Sequence, residues 1–251
     1  MFKGEYVLEY SYSSLNSEAE FKKAISYFKL KYKIDIFEFS QSYENKSGDL
    51  WGIFALSADS FAFYILDFCG HGEKAYKNVK NIHKLMLARS DLALDPLSYI
   101  NYLNIELCDS LEPGLYATMF YSVINIKENN LTYVTCANPA PILLKNNKAS
   151  KVSGGKGLPL GIDKEGHFTQ MKKEFAPNSA LFIYSDGLLE TKDKNSQYLN
   201  EEDLVAFFNK SLSGANHNNI PLAFNVLVKD FKTNYLLNLQ DDLSLILMIR
   251  S

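Results

Sequence analysis

Cysteine is scarce: Cys69, Cys108 and Cys136 are the only three in 251 residues, odd in number and far apart. That fits a reducing compartment better than a disulfide framework. Long apolar runs are missing too. The longest, residues 61–66 and 245–249, fall far short of the roughly 20 residues that span a bilayer. The opening MFKGEYVLEYSYS has no basic stretch leading into an apolar one, so no secretory leader is expected. The chain therefore reads as cytoplasmic, without direct membrane insertion. Neither charge is in excess: 26 Lys and Arg against 29 Asp and Glu give a net charge of −3. A nucleic-acid partner, which would need a basic surplus, is argued against. The 7 prolines and 13 glycines nowhere gather into a linker, no internal repeat is visible, and there is no Cys-x5-Arg phosphatase loop.

What is present is ordinary globular material. Hydrophobic residues make up 47% and charged residues 22%, which excludes disorder and supports a full core without staples. Residues 1–12 pattern as a strand and 16–30 as a short helix, with Ala19, Phe21, Ile25, Phe28 and Leu30 near helical spacing. Strands are expected at 34–39, 51–56 and 61–66, the last two joined by the turn Ser57-Ala58-Asp59-Ser60. Two helices follow at 73–89 and 95–110, the second opened by Asp95-Pro96, a capping residue and a proline suited to the first turn. Further strands are expected at 117–126, 131–137, 141–144, 168–175, 180–184 and 243–249, with helices near 200–212 and 220–233. Many strands with inserted helix pairs and no strict βα alternation predict an α+β fold of two packed antiparallel sheets flanked by helices.

The informative pattern is where the acids fall. Asp49 immediately precedes the apolar run from Leu50, and Asp67 ends the run 61–66. Asp186 follows 180–184 after one serine, and Asp241 and Asp242 precede 243–249. Four hydrophobic strands thus carry acids at their ends. If the strands are neighbours, the carboxylates meet at one rim and raise one another's pKa. A hard divalent cation resolves that conflict, and oxygen donors suit Mg²⁺ or Mn²⁺ rather than Zn²⁺. After Asp67 come Phe68-Cys69-Gly70-His71-Gly72, where the glycines permit close backbone approach. A carbonyl of this loop is a candidate donor. His71 reads either as a proton donor or as a loop packing residue, and Cys69 as a small buried hydrophobe ahead of a reactive thiol. Gly154-Gly155-Lys156-Gly157 lacks phosphate-loop spacing and reads as a turn. The stripe Lys74, Lys77, Lys80 and Lys84 reads as a solvated helix face, with docking of an acidic partner as the alternative.

Six segments occur in an order that resembles a known family: Ser47-Gly48-Asp49, Asp67-Phe68-Cys69-Gly70-His71-Gly72, Ala117-Thr118-Met119-Phe120-Tyr121, Gly157-Leu158-Pro159-Leu160-Gly161, Tyr184-Ser185-Asp186-Gly187-Leu188-Leu189-Glu190 and Asp241-Asp242-Leu243-Ser244. They resemble the metal-dependent serine/threonine protein phosphatases of the PPM class, in the bacterial SpoIIE/RsbU-like branch. The resemblance covers residue 33 to the C-terminus, leaving 1–32 as a short segment expected to pack on the domain. It implies an α-β-β-α sandwich with two Mn²⁺ or Mg²⁺ ions between the sheets. Asp67 would bridge them, Asp49 would ligate or orient the attacking water, and the Phe68 carbonyl would complete one shell. Asp186 and Asp241 would hold the other ion, with Asp242 as the alternate. Asp49 and Asp67 are thus the candidate catalytic residues. The implied reaction is hydrolysis of phosphoserine or phosphothreonine on a small STAS-type, anti-anti-sigma protein in a partner-switching pathway.

Two positions depart from the family pattern. Where relatives often read Gly-Gly-Asp-x-x-Asp, the second acid is Gly52. Where they often read Ala-Gly-His-x-Pro, Asn138 stands at the histidine. Both departures bear on substrate positioning. They keep open a second reading, a catalytically weak pseudophosphatase acting as a partner-binding module. A metal-dependent nuclease is a weaker third reading. The usual upstream sensor has no room in 1–32, so regulation is expected from a separate sensor or activator protein. A shift of the helices at 73–110, which follow the Asp67 loop, is one route for it. A homodimer is left open.

Overall fold

The computed structural model describes residues 9–12, 18–70, 72–213 and 219–251. His71 and most of the first expected strand lie outside the described residues.

Two sheets face each other, with helices on both outer faces. The first sheet contains β1 (Glu9–Tyr12), β3 (Asp49–Ala55), β4 (Ser60–Phe68), β5 (Ala117–Asn125), β6 (Asn130–Cys136) and β10 (Met171–Glu174), in that order. β9 (Lys156–Gly157) adds a short parallel pairing to β6. The second runs β2 (Ile34–Gln41), β12 (Leu243–Arg250), β11 (Ser179–Tyr184), β7 (Ile142–Lys145), β8 (Lys148–Lys151). Apart from β9 every paired strand is antiparallel.

Strand periodicity sorts the side chains into layers. Trp51, Ile53, Phe63, Ile65 and Phe120 of the first sheet meet Leu181, Ile183, Ile246 and Met248 of the second. Their alternates Leu50, Tyr64, Leu66 and Tyr121 turn outward to α2 (Gly72–Ala88) and α3 (Pro96–Ser110). On the far side Phe182, Tyr184, Leu245 and Leu247 pack on α5 (Glu201–Leu212) and α6 (Ile220–Asn234). α1 (Glu18–Tyr32) sets Ala24, Phe28 and Tyr32 into the layer between the sheets, and β1 extends the first sheet along β3.

Local chemistry fixes the helix starts. Asp95 accepts from the Leu97 N–H at 3.2 Å ahead of Pro96, as its sequence predicts. Asn200 and Asp203 form a reciprocal capping box on α5. The strand expected at 168–175 shortens to β10. Of the turn expected at 154–157, Gly154 and Gly155 take positive φ without forming a regular turn, and Lys156 and Gly157 pair as β9. Lys74, Lys77, Lys80 and Lys84 are all exposed, and Lys80 rests on the Tyr76 ring.

Candidate metal centre

The hairpin of β3 and β4 sets Asp49 directly opposite Asp67, and Thr118 of β5 stands on the other side of Asp67. Asp49 shares the strand face of Trp51 and Ile53, and Asp67 that of Ile65, so both carboxylates lie in the layer between the sheets. From the second sheet, Asp186 follows β11, and Asp241 and Asp242 lead into β12. Antiparallel pairing of β11 with β12 brings those two ends together. The five acids therefore share one end of the sandwich.

Asp49 and Asp67 are 5% and 6% exposed. Burial pushes Asp49 up to about 7. The nearby Ser244 and Ser185 hydroxyls temper the rise without forming a well-made hydrogen bond, and Asp242 and Asp186 add to it. Asp67 is held well above the usual carboxylate range, first by burial and then by repulsion from Asp49, Asp186, Asp241 and Asp242. Burial, Glu190 and Asp241 raise Asp186 to about 6. Glu190 has this effect because the single turn α4 (Gly187–Glu190) carries it back beside Asp186. Nothing in the sequence pattern singles out Glu190 for this part.

The two adjacent acids at the start of β12 have different jobs. Asp242 is 1% exposed. Its two oxygens accept from the Tyr43 N–H at 2.8 Å and the Gly48 N–H at 2.6 Å. It thereby ties the second sheet to the loop ahead of Asp49. Asp241 accepts from the Asp242 N–H at 2.8 Å through one oxygen.

Two glycines are required by close approach. A Cβ on Gly48 would come within 2.9 Å of the Ala75 Cβ and 3.2 Å of the Phe68 carbonyl oxygen. Gly48 therefore lets the Phe68 backbone lie next to Asp49. A Cβ on Gly187 would collide with the Asp242 backbone oxygen. Gly187→Ala is expected to cost about 2 kcal/mol, the scale of overpacking a tight site. It should also displace the 241–242 segment. Thermal unfolding and Mn²⁺ titration of the variant check both effects.

Gly52 proves unrelated to the acid cluster. It faces Tyr64 across the hairpin on the helix side of the sheet, where a Cβ would come within 2.6 Å of the tyrosine hydroxyl. Its lack of a side chain makes room for Tyr64. Cys69 is half-buried rather than the buried hydrophobe expected, and its Sγ accepts from the Tyr116 N–H at 3.2 Å.

The donor chemistry fits a hard divalent cation. Both oxygens of Asp49, one of Asp67 and one of Asp186 are buried without any hydrogen-bond partner. Orphaned carboxylate oxygens are costly, and several at one point call for a cation. Among the described residues no three His, Cys, Asp or Glu groups form a ready-made metal-binding set. The acids repel one another across this end of the sandwich without closing into a cage.

Comparison with known proteins agrees with this architecture. A sequence profile of the family described as Stage II sporulation protein E (SpoIIE) matches residues 57–251. Over 220 residues the chain is 23% identical to the phosphoserine phosphatase RsbU of Bacillus subtilis, covering 86% of this chain and 63% of RsbU. The chain thus spans less than two thirds of that relative's length. Among solved structures, the SiaA-PP2C domain of Pseudomonas aeruginosa superposes with a TM-score of 0.72 at 13% identity, covering 92% of each chain. RsbX, solved in complex with magnesium, has a TM-score of 0.63 at 20% identity over 87% of this chain and 96% of that one. At these identities the structural likeness speaks for the fold.

Proposed function

Since the chain belongs to the SpoIIE family and carries a PP2C-type phosphatase domain, we propose that it hydrolyses phosphoserine or phosphothreonine on a small STAS-type regulatory protein, using two Mn²⁺ or Mg²⁺ ions. The observation that carries the reading is the convergence of Asp49, Asp67, Asp186 and Asp241 from both sheets, with orphaned oxygens on the first three. The serine side of the substrate class is supported by the description of RsbU as a phosphoserine phosphatase. Magnesium is supported by the RsbX complex.

In this reading Asp49, Asp67, Asp186 and Asp241 hold the cations, and the Phe68 carbonyl adds a neutral oxygen donor. The bound cations supply what the acids alone cannot: attraction for a phosphate dianion and a water of lowered pKa. The remaining residues build the frame. Asp242 braces the Gly48 turn, so that Asp49 and the Phe68 backbone keep their places. Ser185 and Ser244 interlock at the mouth of the second sheet: the Ser244 N–H donates to Ser185 Oγ at 2.9 Å and the Ser185 N–H to the Ser244 carbonyl at 3.0 Å. No protein nucleophile is required, because a cation-bound water would serve.

The test is hydrolysis of p-nitrophenyl phosphate and of a phosphoserine STAS protein, with Mn²⁺ and after chelation. Turnover that appears with Mn²⁺ and disappears with chelator is expected. Mn²⁺ binding with no turnover on either substrate, with candidate activator proteins added, would replace the enzyme with a binding module.

A further inference from the structure

Asn138 is 6% exposed, and half of its carboxamide is unused. Its Nδ2 donates to the Pro139 carbonyl at 2.9 Å, while its Oδ1 is buried with no partner. Flipping the amide would press two acceptor oxygens together and bury unused N–H groups instead, so the donor pattern fixes the orientation. The preceding Ala137 has φ of 55°, a left-handed conformation that a non-glycine residue adopts at a cost. Backbone strain and an orphaned acceptor thus occur side by side.

Residues 137–141 carry the chain from the first sheet to the second, and they cross at the acid end. Ala137 bridges to Met119, the neighbour of Thr118, which stands opposite Asp67. On the other side β7 pairs with β11 through Ile142 and Phe182. The crossing thus enters the second sheet at the end of β11 from which the chain leads on to Asp186. The crossing is pinned where it meets the second sheet. The Tyr184 hydroxyl donates to the Ala140 carbonyl at 3.1 Å, and the Ala140 N–H donates to Glu201 Oε1 at 2.9 Å.

An acceptor in this setting needs a donor that the neighbouring groups do not provide. The nearby carboxylates accept hydrogen bonds, and so does a phosphate dianion. Water polarised by a divalent cation donates strongly. We infer that Asn138 is a positioning residue whose carboxamide oxygen, on the strap crossing between the sheets, accepts a hydrogen bond from the hydration shell of a cation held by the acid cluster. The inference rests on the reading of that cluster as a metal site. It gives the Asn138 departure from the family pattern a function of its own.

Isothermal titration with Mn²⁺ tests it, alongside thermal unfolding of the metal-free protein, for wild type, Asn138→Leu and Asn138→Asp. Leucine removes the orphan at similar size but also the donor to the Pro139 carbonyl, so the two changes oppose each other and the metal-free variant should unfold within a few degrees of wild type. Its Mn²⁺ affinity should fall about tenfold, the scale on which partners of metal ligands act, and Asn138→Asp, which keeps an acceptor oxygen, should return within about threefold of wild type. Leucine binding Mn²⁺ as tightly as wild type would overturn the inference and leave Asn138 a strap residue only. If Asn138→Leu does not fold, Asn138→Ala is titrated against the same expectation. A wild type that binds Mn²⁺ yet hydrolyses nothing would overturn the phosphatase reading and leave this one standing. A wild type that binds no Mn²⁺ would overturn both.

Discussion

Asp67→Asn is expected to cut Mn²⁺-dependent hydrolysis severely while making the metal-free protein more heat-stable. The two effects have one cause. Asp67 faces Asp49 directly across the β3–β4 hairpin and is repelled further by Asp186, Asp241 and Asp242. Like charges on opposed strands are destabilising, and removing one side chain's charge relieves several repulsions together. A rise of a few degrees in Tm near pH 8 is therefore expected for the metal-free variant. If the proposed site is right, the same change also deletes an anionic metal donor, so the Mn²⁺-induced rise in Tm should vanish. Turnover should drop about a thousandfold, as when one charge-stabilising group is lost from an active site. Asp186→Asn should act in the same directions. Asp242→Asn should not: its carboxylate is spent on the Tyr43 and Gly48 N–H groups. That variant should lose stability with and without Mn²⁺. An Asp67→Asn protein that keeps both its Mn²⁺ response and its turnover would remove the acid cluster from the chemistry.

That contrast between neighbours marks where the sequence stopped being readable. Apolar runs ending in acids announced β3, β4, β11 and β12, because central strands buried on both faces leave an uninterrupted hydrophobic signature. The same runs placed the carboxylates at strand ends, and antiparallel pairing did the rest. Asp241 and Asp242 were not separable, since the partners that occupy Asp242 lie 194 and 199 residues away. Gly52 looked like a lost acid until the cross-strand Tyr64 showed which face it occupies. The short strands β8 and β9 were missed for another reason. Lys-Ala-Ser-Lys and Lys-Gly are short and hold a single buried apolar side chain, Ala149, too little to set a pattern. Their conformation is dictated by the strands beside them, β7 and β6, rather than by their own side chains. Asn138 was visible as a departure, but its orphaned oxygen belongs to the folded crossing and has no signature in sequence.

The acid cluster should also give the metal-free protein an inverted pH response. Asp49 rises to about 7 and Asp186 to about 6 when the chain folds, and Asp67 rises well above its ordinary value of 3.8. A folded state with raised carboxyl pKa values binds more protons than the unfolded chain between pH 4 and 7. The stability from these groups is therefore whole below about pH 4 and drains away as pH climbs through 6 and 7. Most domains gain stability as their paired carboxylates ionise over the acid part of this range; here the cluster opposes that trend. Each tenfold gain in proton affinity on folding is worth about 1.4 kcal/mol, so the metal-free Tm should be lower at pH 8 than at pH 5.5 by roughly 5 °C or more. Divalent cations act where the acids are ionised, since ligation competes with protons. The Mn²⁺-induced rise in Tm should accordingly be large at pH 8 and small at pH 5.5, and Asp67→Asn should flatten both curves. Differential scanning calorimetry across that range, with Mn²⁺ and with chelator, reads every part of this. A metal-free Tm that climbs steadily from pH 5.5 to 8, with a Mn²⁺ response independent of pH, would mean that the carboxylates are not confined together.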